Sequence, residues 1–297
     1  MGFDRRDFLK LSVATASTCL TGKQANAASG KQVQTDIGDT FAMLNDSTKC
    51  IGCRGCQVAC KQRKGLEPAG SNHLYDMPTE LNSKNLTLIK LYKGADEHSF
   101  VKRQCMHCYE PACVSACLVS ALEKDINGIV KYDSDKCIGC RYCMVACPFS
   151  VPAYEYESPD PYVVKCDFCE DIITTGGQPR CASVCPSGAI KFGKRADLLK
   201  EARERINEAP DRYIDHIYGE KEAGGTSVLY LSGVDFDKLG MDTNLGDKSY
   251  PDMTKGFLSS VPLVLTIWPM LLMGAWAFST KEEETAGNQI SEEEVQS

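Results

Sequence analysis

Of the 17 cysteines in this chain of 297 residues, all but Cys19 fall into four rows of four, and no other feature restricts its folding as tightly. Row one is Cys50, Cys53, Cys56 and Cys60; row two is Cys105, Cys108, Cys113 and Cys117. Row three is Cys137, Cys140, Cys143 and Cys147; row four is Cys166, Cys169, Cys181 and Cys185. The rows repeat. Residues 49–60, KCIGCRGCQVAC, and 136–147, KCIGCRYCMVAC, agree at ten of twelve positions. Residues 104–122 and 165–190 share C-x2-C, a proline before the third cysteine, x3-C, and then a small residue followed by Ala-Leu or Ala-Ile. The order is A-B-A-B, an internal duplication.

Rows one and three have the spacing C-x2-C-x2-C-x3-C, and Pro148 follows row three. This is the bacterial iron–sulfur run, in which three thiolates meet one cubane and the fourth cysteine reaches a second. Gly52 and Gly139 stand just before a ligand. There a positive φ is cheap and amides can turn toward sulfur. The fourth cysteine comes about one helical turn later and points elsewhere. Row four separates its second and third cysteines by eleven residues, 170–180, with turns at Gly176-Gly177 and Pro179. Loop closure grows costlier only slowly with length, so the site still takes four thiolates.

The rival chemistries fit less well. Zinc uses pairs of C-x2-C knuckles, not three tightly spaced cysteines plus a fourth. Disulfides suit an exported chain but do not explain Gly and Pro at matching places in a repeated row. A metal-free, disulfide-bonded interaction protein is therefore the weakest of the functional readings.

Both ends direct the chain to a membrane. Arg5-Arg6, a weakly apolar run from 11 to 20 and Ala25-Asn26-Ala27 are ordered as charged head, short apolar stretch and cleavage site. Residues 1–27 are thus expected to be a signal peptide of twin-arginine type, which exports folded proteins, and Cys19 is discarded with it. Residues 256–280 carry no charge. As a helix they reach about 37 Å, enough for a hydrocarbon core of about 30 Å. The acidic tail 281–297 is expected to be disordered. With 33 Lys and Arg against 40 Asp and Glu, and no basic stripe, nucleic acid is not an expected partner.

The four rows, the order of their spacings and YGEKEAGGTSVLYLSGV at 218–234 resemble the four-cluster ferredoxin subunits of membrane-bound respiratory oxidoreductases, over about 48–240 and on to the C-terminal span. A separate signal and a C-terminal anchor are features of the members that serve nickel–iron hydrogenases. The resemblance implies an α+β fold: two nested bacterial-type two-cluster ferredoxin modules with insertions, within 28–255, plus one C-terminal transmembrane helix. It implies four [4Fe-4S] clusters, about sixteen iron atoms in all, and a chain that is no enzyme by itself. Its partners would be hydrogenase catalytic subunits and a polytopic quinone-reactive membrane subunit, at the periplasmic face of the inner membrane. The alternative is the iron–sulfur subunit of a molybdopterin enzyme such as formate dehydrogenase. Leu118 in place of proline after row two, and Lys61 after row one, depart from the family pattern without removing a ligand.

Which cysteines share a cluster is left open by the rows alone. The duplication favours pairing in sequence, one with two and three with four; the 19 residues between rows two and three, against 44 between one and two, give slight support to an inner module. The resemblance implies nesting. The first cluster would then take Cys50, Cys53, Cys56 and Cys185, and the second Cys60, Cys166, Cys169 and Cys181. The third would take Cys105, Cys108, Cys113 and Cys147, and the fourth Cys117, Cys137, Cys140 and Cys143.

Little else looks like chemistry. His73, His98, His107 and His216 are scattered, and His107 inside CMHC is expected to be a packing residue. Lys49, Arg54, Lys136 and Arg141 flank cysteines and either raise nearby potentials or are plain surface charges. Residues 86–92 and 227–234 read as strands, and 194–206 as an amphipathic surface helix.

Overall fold

A computed structural model of the protein describes residues 39–67, 80–94, 98–159 and 161–295. The expected signal peptide at 1–27 and His73 lie outside the described residues.

The chain ends of the cysteine-rich body meet in one sheet. Strand β1 (Phe41–Asp46) pairs antiparallel with β8 (Ile190–Lys194), Phe41 opposite Lys194, and parallel with β9 (Val228–Leu231), Met43 opposite Val228. Side chains alternate across a strand. Ala42 and Leu44 pack on one face with Leu198, Ala202 and Ile206 of helix α6 (Arg195–Glu208). The i, i+4, i+8 spacing makes those three one stripe, and each buried Leu or Ile is worth about 1.5–3 kcal/mol. Met43 faces the other way, into a core that includes Cys56, Cys181, Phe168 and Tyr230. The sheet therefore closes one side of the cysteine region, and α6 closes the sheet.

Between β1 and β8 lie the four rows. Row one enters helix α1 (Gly55–Lys64) and leads to the hairpin of β2 (Leu88–Lys93) and β3 (His98–Arg103). Row two enters α2 (Ala112–Ser115) and then the hairpin β4 (Leu122–Lys124) and β5 (Val130–Tyr132). Row three enters α3 (Tyr142–Ala146), followed by β6 (Ala153–Tyr154) and β7 (Val163–Val164). Row four holds α4 (Glu170–Thr174) inside its long interval and α5 (Arg180–Ser183) after it. Helix α1 packs against α5, and α2 against α3. The strand at 86–92 and the helix at 194–206 form close to their expected limits; β3 and α4 had no clear sequence signal.

The last helix, α7, runs Tyr250–Val295 with Pro262 and Pro269 inside it. Its stretch Tyr250–Ala277 is long and apolar enough to cross a membrane and lies exposed. Residues 281–295, expected to be disordered, continue the helix. Six of the fifteen are glutamate, a good helix former. Where α7 begins, Ser249 Oγ donates to the Glu110 carboxylate, and α7 touches α2.

Candidate metal centres

Each row folds as the same local unit. A left-handed residue stands immediately before the second cysteine: Gly52 (φ 69°), His107 (46°), Gly139 (68°) and Phe168 (59°). A short helix then carries the third cysteine, and Cys56, Cys113, Cys143 and Cys181 are all buried. The left-handed turn aims amides at sulfur. Phe168 N donates to Cys166 Sγ at 3.4 Å and Ala121 N to Cys117 Sγ at 3.2 Å. The Gly52 amide serves Cys50, and those of Val151, Phe149 and Ser150 serve Cys147. Such donors stabilise thiolate and tune what it binds. The glycines were legible in the sequence. His107 and Phe168 hold the same conformation at a cost of about 1–2 kcal/mol each, and only their position before a second cysteine marks them.

Thiols of different rows lie near one another. Cys50, Cys53, Cys56 and Cys185 line one cavity, with Lys102 and Phe100. Cys60 faces Cys181 and Cys169, and Cys166 faces Cys60. Cys108 faces Cys113, Cys147 and Cys105. Cys143 faces Cys117, Cys137 and Cys140. Electrostatic influence also runs between the groups in order: Cys56 with Cys181, Cys166 with Cys105, Cys113 with Cys143. These links put the groups in series, and the exposed cysteines, Cys53 and Cys140, belong to its first and last members.

Burial dominates the thiol acidities. It pushes Cys56 up to about 12, with Lys102 opposing and Cys181 and Cys50 adding to the rise. Cys60 is pushed up to about 11 by burial, with Lys102 opposing and Cys181 and Cys169 adding. Cys113 rises to about 12 and Cys143 to about 11, burial first in each. Free thiols packed this way hold their protons at neutral pH, so metal loading displaces protons and removes their mutual repulsion.

The donor set fits a polynuclear cluster better than single ions. All sixteen cysteines of the rows are free thiols. Among the described residues no three His, Cys, Asp or Glu side chains converge on one ion. A tetrahedral zinc with thiolates at about 2.3 Å would draw the sulfurs to about 3.8 Å of one another. Four thiols around a wider space, with amides turned toward them, are what a cubane requires.

Of the four buried lysines among the described residues, Lys61 turns away to Glu67 O at 3.0 Å, and Lys102, Lys124 and Lys165 surround these groups without any local motif that marks them. Lys124 Nζ donates to Cys108 O at 2.6 Å and Gly128 O at 3.1 Å; burial pushes its pKa down to about 8. Lys165 Nζ donates to Cys166 O at 3.0 Å and to Val130 O. Lys102 is 3% exposed and, among the described residues, reaches only Met43 Sδ, at 4.0 Å. Burial opposes its charge, yet Cys181 and Cys56 hold its pKa above the usual lysine value. Of the cations flagged from sequence, Lys136 pairs with Asp133 at 3.2 Å, Lys49 lies 3.9 Å from Asp46, and Arg141 stacks over Tyr154 and Tyr156. Arg54 is buried.

His107 is more than packing. Fully buried, it accepts from Val130 N on Nδ1 at 3.0 Å, and its ring lies 4.6 Å from Phe168. Burial first, then Lys165 and Lys124, holds it neutral, so Nε2 carries the proton. The contact joins the turn of row two to that of row four.

Comparison with known proteins agrees with this chemistry. Residues 97–195, rows two to four, match the 4Fe-4S dicluster domain family. A Nitratidesulfovibrio vulgaris protein is 44% identical over 97% of this chain and 80% of its own length. The hydrogenase-2 operon protein HybA of Escherichia coli O157:H7 is 37% identical over 80% of this chain and 83% of its own. This chain belongs to the HybA family. The iron-sulfur subunit of the nitrate-inducible formate dehydrogenase of Escherichia coli K12 is also 37% identical, over 66% of this chain. A HybA-family chain is thus an iron–sulfur electron-transfer subunit of an oxidoreductase complex, and the catalysis belongs to other chains.

Proposed function

We propose that this chain binds four [4Fe-4S] clusters and relays electrons between the catalytic subunits of a periplasmic nickel–iron hydrogenase and a quinone-reactive membrane subunit. The observation that carries it is the series of four thiol groups with an exposed cysteine in its first and last members. When bound, each cubane stores one electron with little rearrangement, because the charge is spread over the cluster. The protein's own residues fix the ligands, exclude water and present the ends. The proposed ligand sets are Cys50, Cys53, Cys56 and Cys185; Cys60, Cys166, Cys169 and Cys181; Cys105, Cys108, Cys113 and Cys147; and Cys117, Cys137, Cys140 and Cys143. The packing of α1 on α5 and α2 on α3 supports this nested reading.

Each end carries an exposed apolar fringe. Ile51, Val58 and Val184 surround the Cys53 end; Ile138, Tyr142 and Val145 surround the Cys140 end. Helix α7 leaves the body beside Glu110 and α2, which itself packs on α3, and this favours the Cys140 end as the one turned toward the membrane partner. With an exported body, the segment after 280 lies in the cytoplasm. Cleavage of that segment by protease added outside intact spheroplasts would overturn the orientation.

The equal identity to a formate dehydrogenase iron-sulfur subunit supports a second reading, an electron-transfer partner of a molybdopterin enzyme. The larger share of HybA matched favours the hydrogenase. Anaerobic purification of the tagged full chain decides between them: nickel–iron subunits should co-purify, with about sixteen irons per chain. A molybdopterin subunit in their place, or iron near eight, would sink the first reading or the cluster count.

A further inference from the structure

We propose that Lys102 is a fixed cation between the first two thiol groups and raises the reduction potentials there. The inference rests on the iron–sulfur reading; iron and sulfide assays on the same samples separate its failure from that of the reading.

The buried lysines near the thiol groups differ in how their ammoniums are held. Lys124 and Lys165 are satisfied by backbone carbonyls of the turns they brace. Lys102 has no carboxylate within ion-pair distance among the described residues, and its one hydrogen-bond contact is the Met43 thioether. Burying an ammonium on those terms is costly unless a negative charge stands nearby. What stands nearby is sulfur. Strand β3 alternates, so Phe100 and Lys102 share a face, and both line the cavity of Cys50, Cys53, Cys56 and Cys185. On its other side Met43 Sδ stands between Lys102 and the second group, 4.0 Å from Lys102 Nζ and 3.9 Å from Cys181 Sγ.

A cubane with four thiolates is anionic and gains one further negative charge on reduction. A cation held in a dry, low-dielectric site therefore favours the reduced state and raises the potential. The third and fourth groups lie further along the series, beyond Cys166 and Cys105.

The test is a redox titration of the full chain in detergent, followed by electron paramagnetic resonance. In Lys102→Met, two of four transitions should fall by about tenfold in equilibrium constant, about 59 mV for one electron, while the other two hold. Lys102→Arg should leave all four in place. Full iron with no shift, or an equal shift of all four, overturns the proposal. If Lys102→Met fails to load iron, Lys102→Gln is titrated instead and read by the same criteria. Loss of iron in both neutral variants but not in Lys102→Arg supports a charge requirement; loss in all three overturns it in favour of packing.

Discussion

Rows one and three are nearly the same sequence for twelve residues, and they leave their last cysteine in different directions. Both turn through a left-handed glycine and a left-handed arginine, Arg54 at φ 58° and Arg141 at 62°. Both put the third cysteine near the start of a helix. After Cys147 comes Pro148, and α3 ends at Ala146. After Cys60 comes Lys61, and α1 runs on to Lys64. The longer helix has a use. Arg63 and Lys64 reach Asp167, at 3.0 and 2.6 Å, and Arg63 also reaches Asp171, so the exit of row one grips the turn of row four. Row three needs no such arm, because only a short connection separates it from row two. The ligand loop is thus written locally, and the one residue after it decides how far apart in sequence a partner row can be.

The largest effect that probes this comparison is loss of a fourth cysteine. Under nesting, Cys185→Ser removes a ligand from the cluster of row one, and Cys147→Ser from that of row two. Each should cost up to about four of about sixteen irons. The double variant Cys50→Ser/Cys185→Ser should lose no more iron than either single one. Additive loss would mean that the two cysteines serve different clusters, and the contrast between outer and inner rows would fall.

Next comes the exit itself. Lys61→Pro gives row one the ending of row three. A proline inside α1 removes a hydrogen bond and clashes with the preceding turn, at about 3 kcal/mol or more. It should lower the unfolding midpoint sharply and loosen row four from row one. Pro148→Ala should cost less than about 1 kcal/mol, since α3 has already ended. Equal effects in thermal melts of the two variants would show that the exits are interchangeable.

What was legible here was local. Four cysteines with glycine at a fixed place announce a ligand loop, and helical spacing at 194–206 announces α6. Non-local pairings were not. β1 finds β8 and β9 from opposite ends of the body, and no motif at Phe41–Asp46 says so. Lys102 was illegible for the same reason. In sequence it is one basic residue beside another, Arg103, and only the register of β3 sends it inward. The cations beside cysteines drew attention instead, and three of the four, Lys49, Lys136 and Arg141, pair or stack outside the thiol groups.

The two glycines sharpen the comparison at a smaller scale. A Cβ at Gly52 would meet Phe100 Cε1 at 2.5 Å, and one at Gly139 would meet Tyr154 Oη at 2.9 Å. Both substitutions carry the left-handed cost of about 1–2 kcal/mol. Gly52→Ala should be the worse of the two, because its ring neighbour lines a buried cavity while the Tyr154 hydroxyl can move. Equal melting temperatures for the two variants would show that backbone strain alone decides.

The smallest expected effect concerns a clamp that only the outer rows possess. Glu201 on α6 accepts from Lys191 of β8, at 2.5 Å, and from Arg205, at 2.5 Å, and Arg205 goes on to the buried Asp46 at 2.8 Å. Burial tends to raise the Glu201 pKa, but the hydrogen bonds from Lys191 and Arg205 outweigh it and hold the carboxyl below its usual range. A depressed folded pKa means that the stability is present above the unfolded value, about 4.3, and is lost as pH falls through the folded one. Glu201→Gln should therefore cost at pH 7 no more than about 1 kcal/mol, screened by salt because the pair is partly exposed. Toward pH 3 the variant and the parent should converge. A Glu201→Gln protein that melts like the parent at pH 7 in low salt would show that apolar packing of Leu198, Ala202 and Ile206 alone holds α6 to the sheet.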